Sequence, residues 1–395
     1  MKHTIVILLL LATVLLPVAA TFAQQNSKKS NARSEYTVYV GTFTGGRGGS
    51  SKGIYSFRFQ PATGTLGAAK VVAETDSPSF LAVNPTNQFL YSVNNIMNYQ
   101  GQNAGSVSSF AIDPATGDLK FLNRVSSHSP GPTHLSVDHT SKALLVANYQ
   151  GGSVASFPIK ADGSLGEMVS FDQHSGSSVN PARPAVPHAH EMAVSPDNRF
   201  VFTPELGLDR VMSYRLDPVK ATLTPNEPAF VAVNPGSGPR HMIFHPNGRF
   251  AYSVNETGSS VTGYTYDRQR GILTVIETLP TIPEDFKGTN AAAEIATDPA
   301  GKFLYASNRG HDTIAVFAID AAKGTLKPLE RIATTGKFPR YFTFDPTGEY
   351  VLVAHQNSDN VVLFRFDKET GHLTPTGASI PVPSPVCLLF AGPGK

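Results

Sequence analysis

The residues in this sequence that could carry out chemistry are histidines, arginines and a glutamate in a few short strings. His190 lies in PHAHEM, Arg240 in GPRHMIFH and Arg309 in SNRGHD, while Glu256 follows Arg240 by sixteen positions. Histidine titrates near neutral pH and transfers protons. Arginine holds a carboxylate, a phosphate or a developing oxyanion through a rigid fork of N–H donors. These side-chain types predict acid–base chemistry on a substrate that carries or develops negative charge.

No covalent nucleophile and no cofactor are predicted. The single cysteine, Cys387, lies in an apolar C-terminal string that is typical of a packed strand. A metal ion is an alternative, because His188 and His190 are two positions apart and would share one face of a strand. No set of Asp or Glu residues in a recognisable ligand pattern accompanies them. We therefore predict a reaction that uses neither a metal nor another cofactor.

A tandem repeat must position these residues. A strand, a polar turn and a leucine recur seven times, as in IDPATGDL, IDAAKGTL and FDKETGHL, and successive leucines lie 46 to 58 residues apart. The leucines are Leu66, Leu119, Leu165, Leu223, Leu273, Leu326 and Leu373. A period near 50 residues has the size of a propeller blade and exceeds that of an ankyrin or leucine-rich repeat.

Most repeats also contain a turn followed by an apolar strand, as in HPNGRFAYSVN, DPAGKFLYASN and DPTGEYVLVAH. A short strand such as MIFH precedes this element, and a strand such as TIAVFAID follows it. Each repeat therefore holds four short strands separated by turn residues, and no segment shows sustained helical spacing of apolar residues. This pattern predicts an all-β protein, a seven-bladed β-propeller with four strands per blade.

The two ends of the chain predict how the ring closes. The first repeat begins at Tyr36 with the second strand of a blade, and its first strand is missing. The string SPVCLLF (384–390) aligns with SPSFLAV (77–83), which is a first strand. We expect the C-terminal strand to complete the first blade, a pairing that removes an open sheet edge.

Alignment of the blades places polar residues in columns at one end of the propeller. Where the first strands begin, the columns read Ser79, Thr133, His190, Arg240, Ala293, Arg340, Val386 and Phe80, His134, Glu191, His241, Glu294, Tyr341, Cys387. Where the second strands end, they read Asn94, Asn148, Glu205, Asn255, Asn308, His355 and Asn95, Tyr149, Leu206, Glu256, Arg309, Gln356. Because first and second strands run antiparallel, both groups are expected at one mouth of the central channel.

Two alternatives to a functional site apply to these columns. The charged residues could form a solvated polar rim with ion pairs between blades. The asparagines at the strand ends are expected to make local turn hydrogen bonds. A concentration of His, Arg and Glu at one concave mouth nevertheless favours a site, because such charges need partners and acquire shifted pKa values there.

The N-terminal segment predicts export. Lys2 and His3 precede an apolar run over residues 5–16, and Pro17 and small residues then lead to Ala23, which is the layout of a secretory signal peptide. We predict a signal peptide at 1–23, a disordered linker at 24–35, the propeller at 36–390 and a tail at 391–395. The protein would then be periplasmic or secreted, with no stable membrane span after cleavage. A retained membrane anchor is the alternative.

The charge balance excludes one class of partner. The formal net charge is +2, and no dense Lys/Arg block follows the N-terminus. A nucleic-acid-binding protein needs a basic patch for the phosphate backbone. We therefore expect a monomer that binds a small molecule and no nucleic acid.

Five strings resemble the lactonase-type seven-bladed propellers, which include bacterial 6-phosphogluconolactonases and fungal carboxy-muconate cyclases. They are PHAHEM (187–192), GPRHMIFHPNGRFAYSVNE (238–256), AAEI (292–295), SNRGHDTIAVF (307–317) and QNSDNVVLFRFD (356–367). The resemblance covers the chain from about Tyr36 to Phe390. It implies the hydrolysis or formation of an internal ester of a sugar or sugar acid.

The resemblance also implies roles for single residues. The cyclase branch proposes a His, two Arg and a Glu at the channel mouth, with one Arg and the Glu separated as Arg240 and Glu256 are here. The second arginine matches Arg309. The histidine falls at His188 or His190, and we select His190 because its column faces the channel. These four are predicted to be catalytic, and substrate contacts are predicted for six more, namely His134, His188, His241, Glu294, His311 and Arg340.

The resulting hypothesis is a metal-independent lactone hydrolase, similar to the 6-phosphogluconolactonases, that opens a sugar or sugar-acid lactone by attack of water. Glu256 or His190 would act as the general base. Arg240 and Arg309 would hold the oxyanion or an anionic group of the substrate. A cycloisomerase that forms a lactone is one alternative. An exported binding or adhesion module without catalysis is another, because LLVANYQGGSVASF resembles repeats of such proteins.

Overall fold

The computed structural model describes residue 1 and residues 35–47, 49–178 and 186–392. Within these ranges the chain forms 29 β-strands and one short 3-10 helix, Gly45–Arg47. The predicted signal peptide and linker lie outside the described residues, apart from Met1 and Glu35, as do the last three residues of the predicted tail. A helix long and apolar enough to cross a membrane is absent from the described part of the chain.

Seven antiparallel sheets form the blades, which are numbered here in chain order. Blade 1 contains β1 (Tyr36–Thr42), β2 (Gly53–Gln60), β3 (Thr65–Leu66), β4 (Lys70–Glu74) and the C-terminal strand β29 (Pro385–Ala391). Blade 2 contains β5 (Leu81–Val83), β6 (Phe89–Asn94), β7 (Ser106–Ile112) and β8 (Leu119–Ser126). Blade 3 contains β9 (Pro132–Val137), β10 (Ala143–Asn148), β11 (Ser153–Pro158) and β12 (Ser170–Gln173).

The remaining blades repeat this plan. Blade 4 contains β13 (Ala193–Val194), β14 (Phe200–Glu205), β15 (Arg210–Asp217) and β16 (Thr222–Ala232). Blade 5 contains β17 (Pro239–Phe244), β18 (Phe250–Asn255), β19 (Ser260–Asp267) and β20 (Ile272–Pro280). Blade 6 contains β21 (Ala291–Thr297), β22 (Phe303–Arg309), β23 (Thr313–Ile319) and β24 (Leu326–Ala333). Blade 7 contains β25 (Pro339–Phe344), β26 (Tyr350–His355), β27 (Asn360–Phe366) and β28 (Leu373–Pro381).

The predicted seven-bladed propeller is confirmed, and so is the way in which its ring closes. β29 pairs antiparallel with β1, with Val40 opposite Leu388 and Gly41 opposite Cys387. The first blade thus takes its innermost strand from the end of the chain and the others from its beginning. Its outer strand is divided into β3 and β4, both of which pair with β2.

Apolar residues from neighbouring blades pack together at all seven blade interfaces. At the closing interface, Val38 and Phe57 of blade 1 share one cluster with Leu352 and Leu363 of blade 7 and with Leu388 of β29. Alternating apolar residues on each strand bury against both adjacent blades, so the core is a ring of seven equivalent contacts.

A glycine in the turn before the outer strand, present in every blade except blade 4, also joins blades. Tyr305 of blade 6 donates its hydroxyl proton to the carbonyl oxygen of Gly371 in blade 7, at 2.7 Å. Gly371 has a φ of 79°, and a Cβ there would lie 2.7 Å from the ring of Phe303. Glycine is therefore required both by the left-handed backbone and by the close approach of the neighbouring blade.

The second strands of the blades all finish at the same face of the propeller. The predicted column of asparagines coincides with the last or second-last residues of these strands. Their side chains bond inside their own blades and to the segment that follows the preceding blade, as Asn308 does to Thr281. For example, Asn255 donates to Ser260 and Thr262, each at 2.9 Å. Blade 4 departs from the pattern because its first strand is interrupted, with a bridge between Ala189 and Glu205 before the two-residue β13.

Removing residues 384–395 is expected to abolish cooperative unfolding. The deletion exposes the edge of β1 and removes Val386 and Leu388, which are at most 3% exposed and whose burial stabilises the fold by about 1.5–3 kcal/mol each. Thermal unfolding followed by circular dichroism measures the effect. Deletion of residues 393–395 alone leaves β29 whole and serves as the control. An unchanged melting temperature in the longer deletion would contradict the closure.

Candidate active site

A cavity of about 310 Å³ opens at the mouth where the second strands end. All seven blades contribute to its wall. The lining residues are Phe43, Asn95, Thr133, Tyr149, Gln150, His190, Arg240, Glu256, Arg309 and Arg340. Glu256 is the only carboxylate in this described lining, beside three guanidinium groups. The cavity therefore combines a strong positive potential with one fixed negative charge.

The local backbone geometry of the first strands determines where the side chains at the mouth point. In blade 5, Pro239 pairs with Asn255 and His241 pairs with Val254, so Arg240 is an extra residue in a β-bulge. A regular strand would point Arg240 and His241 to opposite faces. A bulge re-aims a side chain beside a site, so Arg240 lines the cavity while His241 lies deeper among the channel residues. Blade 7 has the same register shift at Arg340.

Glu256 joins two arginines from neighbouring blades. Its Oε2 atom accepts from a terminal nitrogen of Arg309 at 2.8 Å and from one of Arg240 at 3.2 Å. The Arg240 Nε–H donates to the carbonyl of Ala293 at 2.9 Å, and the Arg309 Nε–H donates to that of Ala291 at 3.1 Å. The three charged side chains are at most 6% exposed. Backbone and carboxylate acceptors thus fix both guanidinium planes.

His190 contacts the same arginine. A terminal nitrogen of Arg240 lies against the Nε2 atom of His190. Burial and the positive charge of Arg240 hold the pKa of His190 well below its usual range, so the imidazole is neutral at neutral pH. Burial lowers the pKa of Arg240 to about 10, which leaves its guanidinium charged. Since the guanidinium only donates, the Nε2 atom of His190 is the acceptor and the Nδ1 atom carries the proton.

His188 supports this wall without lining the cavity. Its ring stacks on Tyr149 with centroids 4.4 Å apart, and its Nδ1 atom lies 2.9 Å from the Tyr149 carbonyl oxygen. Tyr149 in turn packs edge-on against His190, with centroids 5.4 Å apart. The string PHAHEM therefore provides one histidine to the cavity and a second that holds the neighbouring aromatic ring.

A buried chain of hydrogen bonds anchors this segment. Glu205 occupies the slot that holds asparagine in most blades, and its carboxylate accepts from the backbone N–H of His188 and contacts His174. The other nitrogen of His174 lies 2.7 Å from the hydroxyl of Tyr214, which donates to Asp172 at 2.8 Å. The interrupted first strand of blade 4 is thus fixed by side chains instead of a continuous ladder.

A second ring of polar side chains lies in the channel below the mouth. His241 Nδ1 lies 3.0 Å from Glu294 Oε2, and His134 Nε2 lies 3.7 Å from Glu191 Oε1. Burial raises the pKa of Glu294 to about 8 and that of Glu191 well above its usual range. Burial also lowers the pKa of His134 to about 3. Phe80 packs against both His134 and His241 and seals the side of this ring.

The structure brings together most of the residues predicted from the sequence. His190, Arg240, Glu256, Arg309 and Arg340 all line the cavity. Those that lie behind or below it are His134, His188, His241 and Glu294.

His311 is not brought to the cavity. Its Nδ1 atom lies 2.7 Å from the Thr313 hydroxyl, its ring packs on Phe286, and it is absent from the described lining. The chain turns at Gly310, with a φ of 114°, directly before His311.

Several lining residues, among them Phe43 and Gln150, are not predicted from the sequence. Phe43 follows Thr42, the last residue of β1, as Asn95 follows Asn94 at the end of β6. Extending that column into the first repeat would have identified it. The Arg340 guanidinium lies 5.2 Å from the centre of the Phe43 ring. Blade 1 thus supplies the aromatic face that positions the third arginine.

Two other features carry less chemistry. The string GSSKG (49–53) has the spacing of a serine-nucleophile motif, but the Ser51 hydroxyl lies 2.6 Å from that of Thr42, and a strand, β2, follows it. A larger cavity of about 550 Å³ lies between blades 1 and 2, near the start of β1. There Arg58 donates to Thr37 and to the carbonyl of Thr116.

Among the described residues, no three His, Cys, Asp or Glu side chains are grouped to hold a metal ion.

Comparison with known proteins agrees with this architecture. A family model described as "Lactonase, 7-bladed beta-propeller" matches residues 37–390. The 6-phosphogluconolactonase of Bacillus subtilis is 36% identical over 357 residues, which cover 90% of this chain and 99% of that protein. The 6-phosphogluconolactonase of Formosa agariphila is 34% identical over 311 residues, covering 77% and 85%.

A solved structure extends the comparison. The periplasmic gluconolactonase of Pseudomonas aeruginosa superposes with a TM-score of 0.85 at 38% sequence identity, covering 91% of this chain and 99% of that one. The family resemblance seen in the sequence is confirmed by the family model and by these relatives. The chain therefore belongs to the family of seven-bladed β-propeller lactonases.

Proposed function

We propose that this protein hydrolyses a sugar or sugar-acid lactone in the cavity at the channel mouth. The observation that carries the proposal is the convergence of Arg240, Arg309, Glu256 and His190 in one cavity of a lactonase-family propeller. Two similar proteins are named 6-phosphogluconolactonase and a third is a periplasmic gluconolactonase, which supports the reaction class.

The first step is the attack of water on the lactone carbonyl carbon. The carbonyl oxygen of the substrate takes the place of His190 as acceptor of the Arg240 N–H, which frees the Nε2 lone pair to accept a proton from water. The oxygen then gains negative charge as the tetrahedral intermediate forms. Arg240 and Arg309 stabilise it because their guanidinium planes are already fixed and need no reorganisation.

His190 is the stronger candidate for the general base, and Glu256 has a different role. The Glu256 Oε2 atom accepts bonds from two guanidinium groups, and such bonds stabilise a carboxylate in its charged form and weaken it as a base. Glu256 therefore holds both arginines in register.

The second step breaks the bond between the carbonyl carbon and the ring oxygen. The leaving alkoxide takes the proton that His190 received from water, so the histidine returns to its neutral form. The product is a hydroxy acid, which ionises at neutral pH and releases one proton to solvent. No metal ion, cofactor or covalent intermediate is needed for this balance.

The excess of arginine favours a substrate with an anionic substituent. With His190 neutral, the described lining residues carry three guanidinium groups and one carboxylate. Arg240 and Arg309 converge on Glu256, whereas Arg340, from blade 7, lies over the ring of Phe43 in blade 1. We assign Arg340 to a carboxylate or phosphate on the substrate, which it would hold through charge-assisted hydrogen bonds.

Export to the periplasm or the medium is part of the proposal. Its support is the signal-peptide layout of residues 1–23 and the similarity to a periplasmic gluconolactonase. Mass spectrometry of the mature N-terminus in a fractionated culture tests the predicted cleavage after Ala23. An intact N-terminus found with the cytoplasmic fraction would contradict it.

Replacing Arg240 is expected to reduce turnover. In Arg240→Ala, kcat for glucono-1,5-lactone falls about 100- to 1,000-fold, because a prepositioned oxyanion donor is lost. Acid release, corrected for spontaneous hydrolysis, measures the rate over a panel of sugar lactones.

Arg58→Ala is the matched control for Arg240→Ala, because Arg58 lines the larger cavity between blades 1 and 2. It should retain wild-type turnover. Near-normal turnover in Arg240→Ala would place the chemistry elsewhere. A wild-type protein that is inactive on the whole panel would favour the binding-module alternative.

Arg340→Ala is expected to change substrate preference rather than the chemical step. The KM for 6-phosphogluconolactone should rise about 10- to 100-fold, because a hydrogen bond to a charged group contributes about 1.5–3 kcal/mol. The KM for uncharged glucono-1,5-lactone should stay within about twofold of wild type. An equal rise for both lactones would show that Arg340 does not recognise the anionic substituent.

A further inference from the structure

Two buried ring nitrogens at the base of the cavity have no hydrogen-bond partner among the described residues. They are the Nδ1 atom of His190 and the Nε2 atom of His241. The two rings lie edge to face with centroids 4.9 Å apart, and both histidines are 3% exposed. A buried polar atom without a partner costs about 1–3 kcal/mol, so two of them in neighbouring rings call for an explanation.

The hydrogen bonds of the opposite ring nitrogens give these two atoms complementary roles. Arg240 donates to His190 Nε2, so His190 Nδ1 bears a proton and is a donor. His241 Nδ1 lies 3.0 Å from Glu294 Oε2. When Glu294 is ionised, His241 Nδ1 must donate to it, and His241 Nε2 is then an acceptor. A donor on one ring thus lies next to an acceptor on the other.

We infer that Glu294 and His241 form a buried relay that supports His190 as the general base. One water molecule links His190 Nδ1–H to His241 Nε2, and a hydrogen bond runs from His241 Nδ1–H to Glu294. When His190 Nε2 accepts the proton of the attacking water, His190 becomes an imidazolium whose Nδ1–H is already bonded towards a carboxylate. Both relay residues act through His190 and do not touch the substrate, so they are positioning residues. The inference rests on the proposed lactone hydrolysis.

The relay offsets the positive charge that His190 acquires next to Arg240 during the reaction. Protonated His190 would be a second buried cation beside Arg240, and this makes the uncompensated imidazolium costly. A carboxylate behind the imidazole offsets that charge, as the aspartate does in a Ser-His-Asp triad. Glu256 cannot do this alone, because its Oε2 atom already accepts from two guanidinium groups.

Glu294 is the titrating member of the relay. Burial raises its pKa to about 8, and Arg240 and Arg340 oppose that rise. The other titratable groups that face Glu294 or His241 are His190, His134, Glu191, Tyr341 and Cys387. Below pH 8 Glu294 is protonated and donates to His241, which reverses the relay. Above pH 8 it is ionised and the relay is assembled, so kcat should rise as pH increases through about 8.

Glu294→Gln tests the relay, because the amide keeps the size of the side chain and fixes it in an uncharged form. We expect kcat for glucono-1,5-lactone at pH 8.5 to fall about 10- to 100-fold with KM unchanged, and the rise of kcat with pH to disappear. Near-wild-type kcat with the pH-dependent rise retained would overturn the inference. Thermal unfolding of the variant confirms that the fold is intact.

Glu191→Gln is the matched control. Glu191 occupies the same slot as Glu294, in blade 4 instead of blade 6, but its carboxylate contacts His134 and the backbone N–H of Met242, with no hydrogen bond to His241 or His190 among the described contacts. Burial raises the pKa of Glu191, so the uncharged amide replaces a carboxyl whose charged form is already disfavoured. Glu191→Gln should keep the wild-type kcat and its rise with pH. An equal loss in both variants would show a general effect of channel charge and would overturn the relay.

A second measurement separates failure of the relay from failure of the proposed function. Nitrogen-15 NMR of histidine-labelled protein reports which ring nitrogen bears a proton, with signals assigned by His190→Asn and His241→Asn. Above pH 8 we expect protonated Nδ1 and unprotonated Nε2 in both rings, and a change of the His241 signals in Glu294→Gln. A proton on His241 Nε2 at pH 9 would overturn the relay even in an active enzyme. Expected tautomers in a protein inactive on every lactone would uphold the relay and overturn only the proposed reaction.

Discussion

The antiparallel pairing of β1 with β29 joins the two ends of the chain and makes a ring out of seven sheets. Without it, β1 would present an open edge, and the packing between blades 7 and 1 would lose Leu388. The cavity depends on the same contact, because its wall takes Phe43 from blade 1 and Arg340 from blade 7. Closure of the ring therefore brings the aromatic face and the third arginine together across the seam.

Within the ring, burial sets the chemistry of the mouth. Arg240, Arg309 and Glu256 are almost fully buried, and an unpaired charge there would be costly. These charges form ion pairs with each other across blades 5 and 6, and the backbone carbonyls of Ala291 and Ala293 accept hydrogen bonds from the two arginines. Such a network is rigid because each guanidinium has acceptors on more than one side. Rigid donors are what a developing oxyanion needs.

The repeat predicts the fold almost completely. Seven spaced leucines and one unmatched strand at each end determine the number of blades and the closing pair. The aligned columns place His190, Arg240, Glu256 and Arg309 at one mouth, because blades of equal length bring equivalent positions to the same height along the channel. The β-bulge at Arg240 could not be predicted, because a one-residue shift of register leaves no mark in the sequence. The columns therefore predict Arg240 and His241 on one rim, whereas only Arg240 is among the described residues that line the cavity.

The alignment of the blades could not predict contacts between residues that occupy different positions in their repeats. Glu205 reads as a variant of the asparagine column, yet its partner His174 comes from the end of the outer strand of blade 3. His311 was predicted to contact the substrate, yet it follows the turn at Gly310 and is absent from the described lining of the cavity. The position of a residue in its repeat specifies its blade and its height along the channel. The direction of its side chain depends on the local backbone dihedral angles.

The two buried carboxylates of the channel show how a symmetric backbone supports asymmetric chemistry. Glu191 and Glu294 occupy the same slot in blades 4 and 6, with His134 and His241 as their respective neighbours. Of these two histidines, only His241 has a described ring contact with His190, with centroids 4.9 Å apart, although blades 3 and 5 both adjoin blade 4. The backbone repeats, so the difference between an inert buried acid and one coupled to the mouth comes from which ring lies next to it. A single substitution in one slot can therefore alter the chemistry of one blade while the fold of the other six is unchanged.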